Sequence, residues 1–208
     1  MKLEIPYIPE AKDEIPEAAA HVKVGVNNWP DQFPYSPRAE AFLWHTGNRL
    51  HIVYRADEEH VAATVEADNG PVYTDSCMEF FIAFDNNGYY NIESNCIGKI
   101  LMSHRRGRDL DIHYAAADTL GAIERTPSLG TAPFECRKAA GPWQLRLDIP
   151  ASAFFKHSLA SFKGVEARAN IYKCGDKLPV PHFLSWNAIT AEKPNFHLPE
   201  FFASIIFV

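Results

Sequence analysis

Short stretches that alternate between apolar and polar residues constrain the fold of this 208-residue chain more than any other feature. In Trp143 to Pro150, Leu145, Leu147 and Ile149 alternate with polar residues, and the stretch ends at a proline. Because successive side chains of a strand point to opposite faces, this pattern predicts a strand with one buried face. Further strands are predicted at residues 21–26, 41–45, 49–54, 77–85, 89–102, 165–174 and 201–208.

Helix signals are few, and Ala151 to Leu159 is predicted to form at most one short helical turn. Many short strands without alternating helices predict an all-β fold, an antiparallel β-sandwich of the jelly-roll type with little helix. The sequence has no internal repeat and no low-complexity linker. We therefore predict a single domain over residues 1–208, in which the proline-rich, acidic residues 1–20 form an extended lead-in.

Charge and hydropathy exclude several partners. With 26 acidic and 20 basic residues the net charge is −6, and an acidic protein repels a phosphate backbone, so no nucleic-acid partner is expected. No apolar run approaches the roughly 18 residues that span a bilayer, so no membrane partner is expected. The N-terminus has no apolar signal region, which favours a cytoplasmic location. No sequence feature predicts an oligomeric state.

The cysteines Cys77, Cys96, Cys136 and Cys174 are widely spaced, and none belongs to a C-x-x-C pair. Zinc-ribbon and thioredoxin-type sites therefore lack their usual spacing. We expect reduced thiols that pack as small hydrophobic side chains, with one or two disulfides as the open alternative.

The clearest strand pair surrounds Asn86-Asn87-Gly88, which we predict to be a three-residue hairpin loop with glycine in the left-handed position. This loop pairs Asp85 with Tyr89 and, further along, Phe80 with Ser94. The predicted register gathers the apolar residues on one face. Glu79 and Glu93 then become near neighbours on the opposite face.

Four carboxylates, Asp75, Glu79, Asp85 and Glu93, lie on or beside this hairpin. They suit a glycosidase acid–base pair, hydrogen-bond acceptors for the hydroxyls of a ligand, or a solvated strand face, and the sequence leaves all three open. The oxygen ligands of Asp85 to Gly88 leave calcium as an open cofactor.

Two aromatic residues lie outside the regular alternation of the strands, beside polar residues. Trp186 stands beside Ser185 and Asn187 at a strand end, and Tyr73 precedes the hairpin. An aromatic ring beside polar groups can stack on the C–H face of a pyranose. Each ring is therefore a candidate sugar platform, with a core position as the alternative.

Several segments, in order, resemble carbohydrate-binding module family 9. Residues 71–81 (PVYTDSCMEFF) resemble the P-x-W-x-D-D-x-V-E-x-F strand of the family, and residues 88–93 (GYYNIE) resemble the strand that follows it. Residues 143–150 resemble its W-x-x-E-x-x-I-P strand and residues 168–172 an R-x-N-x-Y strand. Trp186 and residues 197–202 (HLPEFF) resemble the closing segment.

This resemblance implies a β-sandwich and a site that clamps a sugar ring between two aromatic residues. The platforms would be Tyr73, where the family has tryptophan, and Trp186. Glu79 matches the acidic contact of the family, and Glu93 stands where the family has an amide. Family members also bind calcium, but no ligand set can be transferred to this sequence.

Proximity to these positions adds Asn187 as a hydroxyl-binding residue and Lys99 or Arg105 as a cation. The sequence therefore predicts a non-catalytic carbohydrate-binding protein, with no catalytic residue assigned. Modules of this family usually accompany glycoside hydrolase domains. The alternatives are a glycoside hydrolase-type enzyme acting on xylan or a related polysaccharide through Glu79 and Glu93, and a protein-interaction module.

Overall fold

A computed structural model describes residues 2–9 and 14–208 of the chain. This part contains sixteen strands, one α-helix and three 3-10 helices. The strands are β1 Leu3–Ile5, β2 Ala20–Lys23, β3 Val26–Asn27, β4 Arg38–His45, β5 Arg49–Asp57, β6 His60–Ala63, β7 Cys77–Ala83, β8 Tyr89–Asn95, β9 Ile100–Arg105, β10 His113–Tyr114, β11 Glu124–Pro127, β12 Phe134–Lys138, β13 Trp143–Pro150, β14 Glu166–Cys174, β15 Phe183–Ser185 and β16 Ala203–Phe207. The helix α1 spans Ala117–Gly121, and the 3-10 helices span Val72–Thr74, Ala151–Ala153 and Pro199–Phe201.

The strands form two main sheets. The larger sheet has the order β1-β16-β14-β7-β8-β9-β10, and β15 joins it beside β14 and carries β3. The smaller sheet has the order β11-β13-β5-β4-β2, and β12 pairs separately with β6. Among the strands described, β1 with β16 is the parallel pair and the other pairs are antiparallel. The predicted antiparallel β-sandwich is confirmed.

The central strands β7, β8 and β9 of the large sheet are buried on both of their faces. On β7, Met78, Phe80 and Ile82 belong to the main core, which the small sheet completes with residues such as Leu145 and Leu147 of β13. The alternate residues of β7 point outward, where Phe81 belongs to a second apolar cluster together with Trp29, Tyr172 and Phe196. The outer face is therefore covered by loops rather than by a third sheet.

The hairpin register differs from the prediction by two residues. Phe80 pairs with Ile92 rather than with Ser94, and Glu79 lies directly opposite Glu93. The loop spans residues 84–88 because Asp85 accepts a bond from the backbone N–H of Asn87 at 2.7 Å, which closes a wider turn. A shift of two residues preserves the facing of every side chain, so the predicted neighbours still share one face.

Gly88 accounts for the close contact between this loop and β9. Its φ is 152°, and a Cβ atom there would lie 2.7 Å from the carbonyl oxygen of Arg105. Only glycine tolerates this approach.

Residues 89–102, predicted as one strand, are two strands. A turn over residues 96–99 separates β8 from β9, and Gly98 adopts a φ of 83° within it. The sequence-based assignment also missed α1 and several short strands. The predicted turn in 151–159 is the 3-10 helix Ala151–Ala153.

Within the predicted lead-in, Leu3–Ile5 forms an edge strand that pairs with Ile205 to Phe207 of β16. Met1 and residues 10–13 of the lead-in lie outside the described residues. Among the described residues, no helix combines the length and apolar character needed to cross a bilayer.

A buried polar cluster lies on the inner side of β14. The ammonium of Lys173 lies 2.8 Å from a carboxylate oxygen of Glu58, and both side chains are fully buried. Trp143 donates its indole N–H to the other oxygen of Glu58 at 2.6 Å, and His182 lies 2.8 Å from the ammonium of Lys173. These contacts offset the cost of burying the charges, so they connect β14 and β13 through polar groups.

Candidate functional site

A pocket of about 450 Å³ lies on the outer face of the large sheet. Its floor comes from β7, β8, β9 and β14, and its walls come from three loops that follow or precede these strands. The lining residues are Asn69, Pro71, Tyr73, Glu79, Glu93, Leu101, Arg105, Arg108, Asp109, Ile112, Tyr114, Cys174, Asp176, Phe183, Pro194, Asn195, Phe196 and His197. The pocket thus combines aromatic rings with carboxyl and guanidinium groups.

The floor is organised by side chains that alternate outward from neighbouring strands. Glu79 and Glu93 are directly opposed on β7 and β8 and are both buried. Asn91 donates to a carboxylate oxygen of Glu93 at 2.8 Å and accepts from the hydroxyl of Ser103 at 2.5 Å. Arg105 donates to the same hydroxyl at 2.8 Å, so a chain of hydrogen bonds holds the Glu93 carboxyl in place.

Three carboxyls of the pocket, those of Glu79, Glu93 and Asp176, have raised pKa values. Burial, followed by repulsion from Glu93, raises the pKa of Glu79 well above its ordinary value, and burial likewise raises the pKa of Glu93. Burial raises the pKa of Asp176 to about 6, against the opposing charge of Arg108. A raised pKa favours the protonated carboxyl, which donates as well as accepts hydrogen bonds.

The first wall carries Tyr73, whose side chain is 40% exposed. It belongs to the 3-10 helix Val72–Thr74, which Asp75 anchors by accepting bonds from the backbone of Thr64 and Val65 at 2.9 and 3.0 Å. The carbonyl of Tyr73 also accepts a bond from the N–H of Asp176 at 3.2 Å. The ring is therefore held at the rim by a rigid backbone.

The second wall is the loop that contains Phe196 and His197. Phe196 stacks on Tyr172 at 4.1 Å between ring centroids, and the hydroxyl of Tyr89 lies 2.9 Å from Nδ1 of His197. Burial and the charges of Arg105 and Arg108 lower the pKa of His197 to about 3. This histidine is consequently neutral at ordinary pH and presents an uncharged ring to the pocket.

The third wall follows β9. Arg105 donates from Nη1 to the carbonyl of Arg108 at 2.9 Å and so closes the turn after the strand. Beyond this turn Tyr114 is 55% exposed and lines the pocket. Its exposed ring adds a second aromatic surface at the rim.

The structure brings four of the predicted site residues to this pocket, namely Tyr73, Glu79, Glu93 and Arg105. Trp186, Asn187 and Lys99 do not line it. Trp186 is half-buried against the main core, and its backbone N–H donates to the carbonyl of Ile171 at 2.8 Å. Its side chain lies on the opposite face of the strand from that of Phe183.

Strand periodicity explains this placement. Leu184 of β15 is buried in the main core, and Trp186 two residues later packs against the same core. Phe183 faces the other way and lines the pocket. The amide of Asn187 donates to the carbonyl of Phe201 at 2.8 Å, so it is used within the chain. The N–H of Lys99 closes the turn after β8 by bonding the side chain of Asn95 at 2.8 Å.

Sequence reasoning missed Phe183, Tyr114, Asp176 and His197 as pocket residues. Alternation along residues 183–186 could have identified Phe183, since it faces opposite to Leu184. Tyr114 belongs to the two-residue strand β10 and His197 to a loop, and neither segment is long enough or regular enough to give a periodic signal.

The remaining acidic candidates have structural roles. Asp75 is buried and also accepts a bond from Asn95 at 3.0 Å. Asp85 accepts two bonds from Asn87, one to each carboxylate oxygen, at 2.7 and 3.0 Å. Calcium takes six to eight oxygen ligands, and a loop whose one carboxylate is already engaged does not fit that requirement.

An antiparallel sandwich with an aromatic and polar pocket on a sheet face suggests a module that binds a small polar ligand, and the comparisons with known proteins agree. The sequence profile described as carbohydrate-binding family 9 matches residues 9–207. No curated protein matches this chain.

Solved structures give the same result. A protein from Bacteroides uniformis ATCC 8492, described as a candidate carbohydrate-binding protein, is 35% identical with a TM-score of 0.90 over 100% of both chains. A family 9 module from Caldicellulosiruptor kristjanssonii in complex with cellotriose is 11% identical with a TM-score of 0.60, over 100% of this chain and 93% of that one. Its complex with glucose gives 12% identity and a TM-score of 0.58, over 100% of this chain and 96% of that one.

This chain therefore belongs to carbohydrate-binding family 9.

Proposed function

We propose that this chain is a non-catalytic carbohydrate-binding protein that holds a sugar ring in the pocket on the outer face of the large sheet. The observation that carries the proposal is the presence, in one pocket, of the exposed ring of Tyr73 and the opposed pair Glu79 and Glu93. The C–H face of a pyranose packs on an aromatic ring while its hydroxyls bond to polar groups.

The proposed roles follow from position. Tyr73, with Tyr114 on another wall, supplies aromatic surface at the rim. Glu79 and Glu93 bond to hydroxyls at the floor, and Arg105 keeps the Glu93 side in place through Ser103. A pocket of about 450 Å³ falls in the range of small-ligand sites.

The paired-carboxylate enzyme is less well supported by the same geometry. A glycosidase needs two carboxyls that flank the scissile bond. Glu79 and Glu93 are instead direct cross-strand neighbours on one face of a sheet, so both approach a ligand from the floor.

Titration calorimetry with glucose and cellotriose tests the proposal, because these sugars are bound by the family 9 module of similar fold. We expect a dissociation constant between about 1 μM and 1 mM, or roughly −8 to −4 kcal/mol. Tyr73→Ala should weaken binding about tenfold or more, since stacking on the ring is lost. Glu93→Gln should weaken it comparably.

Tyr7→Ala is the matched control, because Tyr7 is 45% exposed and does not line the pocket. It should leave the affinity unchanged. A panel of neutral saccharides without any binding, or equal losses from Tyr73→Ala and Tyr7→Ala, would contradict the proposal. Release of shorter sugars during incubation would favour the enzyme instead.

A further inference from the structure

Three side chains at the bottom of the pocket have an arrangement that sugar binding does not require. Cys77 and Cys174 are directly opposed on β7 and β14, and Glu79 follows Cys77 by two residues and therefore shares its face. Among the described residues, the two sulfur atoms and a carboxylate oxygen of Glu79 lie within 4.8 Å of one another.

All three side chains are buried, and both cysteines are free thiols. The thiol of Cys174 donates to a carboxylate oxygen of Glu79 at 3.0 Å. The other two cysteines lie elsewhere, since Cys96 belongs to the main core and Cys136 is exposed on β12.

We propose that Cys77, Cys174 and Glu79 form a binding site for a zinc-class divalent cation at the floor of the pocket. Two thiolates and a carboxylate are ligands that Zn²⁺ accepts in tetrahedral sites, and thiolates disfavour Ca²⁺ and Mg²⁺. Sulfur atoms on a tetrahedral zinc stand about 3.8 Å apart, given a bond of about 2.3 Å. The two sulfur atoms lie within 4.8 Å of each other, so a small side-chain adjustment brings them to that spacing.

The site is accessible on one side. Cys174 and Glu79 line the pocket, whereas Cys77 lies behind them. An ion that enters from the pocket meets three ligands and retains its fourth position toward the cavity. A water molecule from the pocket would complete the tetrahedron at this fourth position.

The charges balance without a further counter-ion. Two thiolates and one carboxylate carry three negative charges, which a divalent cation reduces to one. The guanidinium of Arg105 acts on Glu79 from the same pocket and offsets the remaining charge. On binding, the two thiol protons and any proton held by the Glu79 carboxyl pass to solvent, because metal ligands must be deprotonated.

Cobalt substitution tests the proposal because Co²⁺ bound by thiolates gives a sulfur-to-cobalt charge-transfer band in the near ultraviolet. The full chain is reduced, freed of metal with a chelator and titrated with Co²⁺ in the absence of sugar. We expect the band to saturate at one Co²⁺ per chain and to disappear when Zn²⁺ is added.

Cys77→Ser and Cys174→Ser should each reduce the band by at least about half and weaken binding about tenfold or more, since one sulfur ligand is lost. Cys136→Ser and Cys96→Ala, which change an exposed and a buried cysteine outside the site, should bind like the unmodified chain. Glu79→Gln keeps both sulfur ligands, so it should retain the charge-transfer band and bind Co²⁺ more weakly. This variant keeps the proposal testable if a cysteine variant fails to fold.

Absence of a band in the unmodified chain would overturn the proposal. The proposal would also be overturned if Cys136→Ser reduced the band as much as Cys77→Ser and Cys174→Ser do. An unchanged Co²⁺ titration in both of these variants would overturn it as well. Sugar titrations run with chelator present report on the proposed function alone, so the failure of one proposal is distinguishable from the failure of the other.

Discussion

The two faces of the central strands β7, β8 and β9 are both buried, yet they differ in chemistry. On the inner face Phe80 is 1% exposed and lies between its cross-strand partners Ile92 and Ile171. On the outer face Glu79, 3% exposed, lies between Glu93 and Tyr172. Low exposure therefore does not distinguish a core from a site here.

The covering layer accounts for the difference. A second sheet fills the space above the inner face, and apolar side chains interdigitate there. Loops cover the outer face and leave a cavity, so polar groups can remain buried with partners on one side and a ligand on the other. Substitutions on the two faces should then separate stability from binding.

The largest expected effect on the free energy of unfolding comes from a substitution on the inner face. Phe80→Ala should lower the free energy of unfolding by about 3–5 kcal/mol, because it removes a ring from a closely packed core and leaves a cavity. Urea denaturation measures this change. Glu93→Gln is the outer-face counterpart, and it should change the unfolding free energy by less than about 1 kcal/mol, because the amide oxygen still accepts from Asn91.

The buried cluster around Glu58 makes the free energy of unfolding depend on pH in the acidic range. The charge of Lys173 and its hydrogen bond lower the pKa of Glu58 to about 2 despite burial, from an ordinary value of 4.5. A depressed carboxyl pKa stabilises the fold above the ordinary value and loses that contribution as the pH falls toward the folded value. We expect stability to fall between about pH 4.5 and 2.

His182 contributes in the same direction. Burial and the charge of Lys173 lower its pKa, so the unfolded chain takes up a proton before the folded chain does. Denaturation measured at several pH values should show a weaker decline below pH 4.5 in Glu58→Gln, which keeps an acceptor for Trp143. An identical decline in that variant would contradict the role given to Glu58.

The smallest effect on sugar affinity is expected for Trp186, which the sequence predicts to be either a sugar platform or a core residue. Trp186→Ala should lower the unfolding free energy by about 1–3 kcal/mol, since a half-buried ring leaves the main core. Its sugar affinity should stay within about twofold of the unmodified chain, because the ring does not line the pocket. A loss as large as that of Tyr73→Ala would mean that the sugar binds elsewhere.

Periodicity made the fold predictable and the faces of the central strands predictable with it. Glu79 and Glu93 were placed together correctly even though the register differed by two residues, because an even shift keeps each side chain on its face. Beyond the end of a periodic stretch, the alternation no longer predicts which face a side chain occupies. Trp186, one residue past β15, packs against the core, and Phe183 lines the pocket.

The walls of the pocket could not be predicted in the same way. Phe196 and His197 depend on a loop course that is set by individual contacts, such as the stack of Phe196 on Tyr172, and Tyr114 lies on a strand of only two residues. The pairing of Cys77 with Cys174 depends on which strands are neighbours, since 97 positions separate them in a sequence of 208.

Mapping of backbone amide shifts by NMR during titration with cellotriose tests the central claim most directly. We expect the largest shift changes on residues 71–74, 105–114 and 194–197, which form the three walls of the pocket. Changes concentrated around Trp186 and on the inner face of the sheet, with these three segments unaffected, would contradict it.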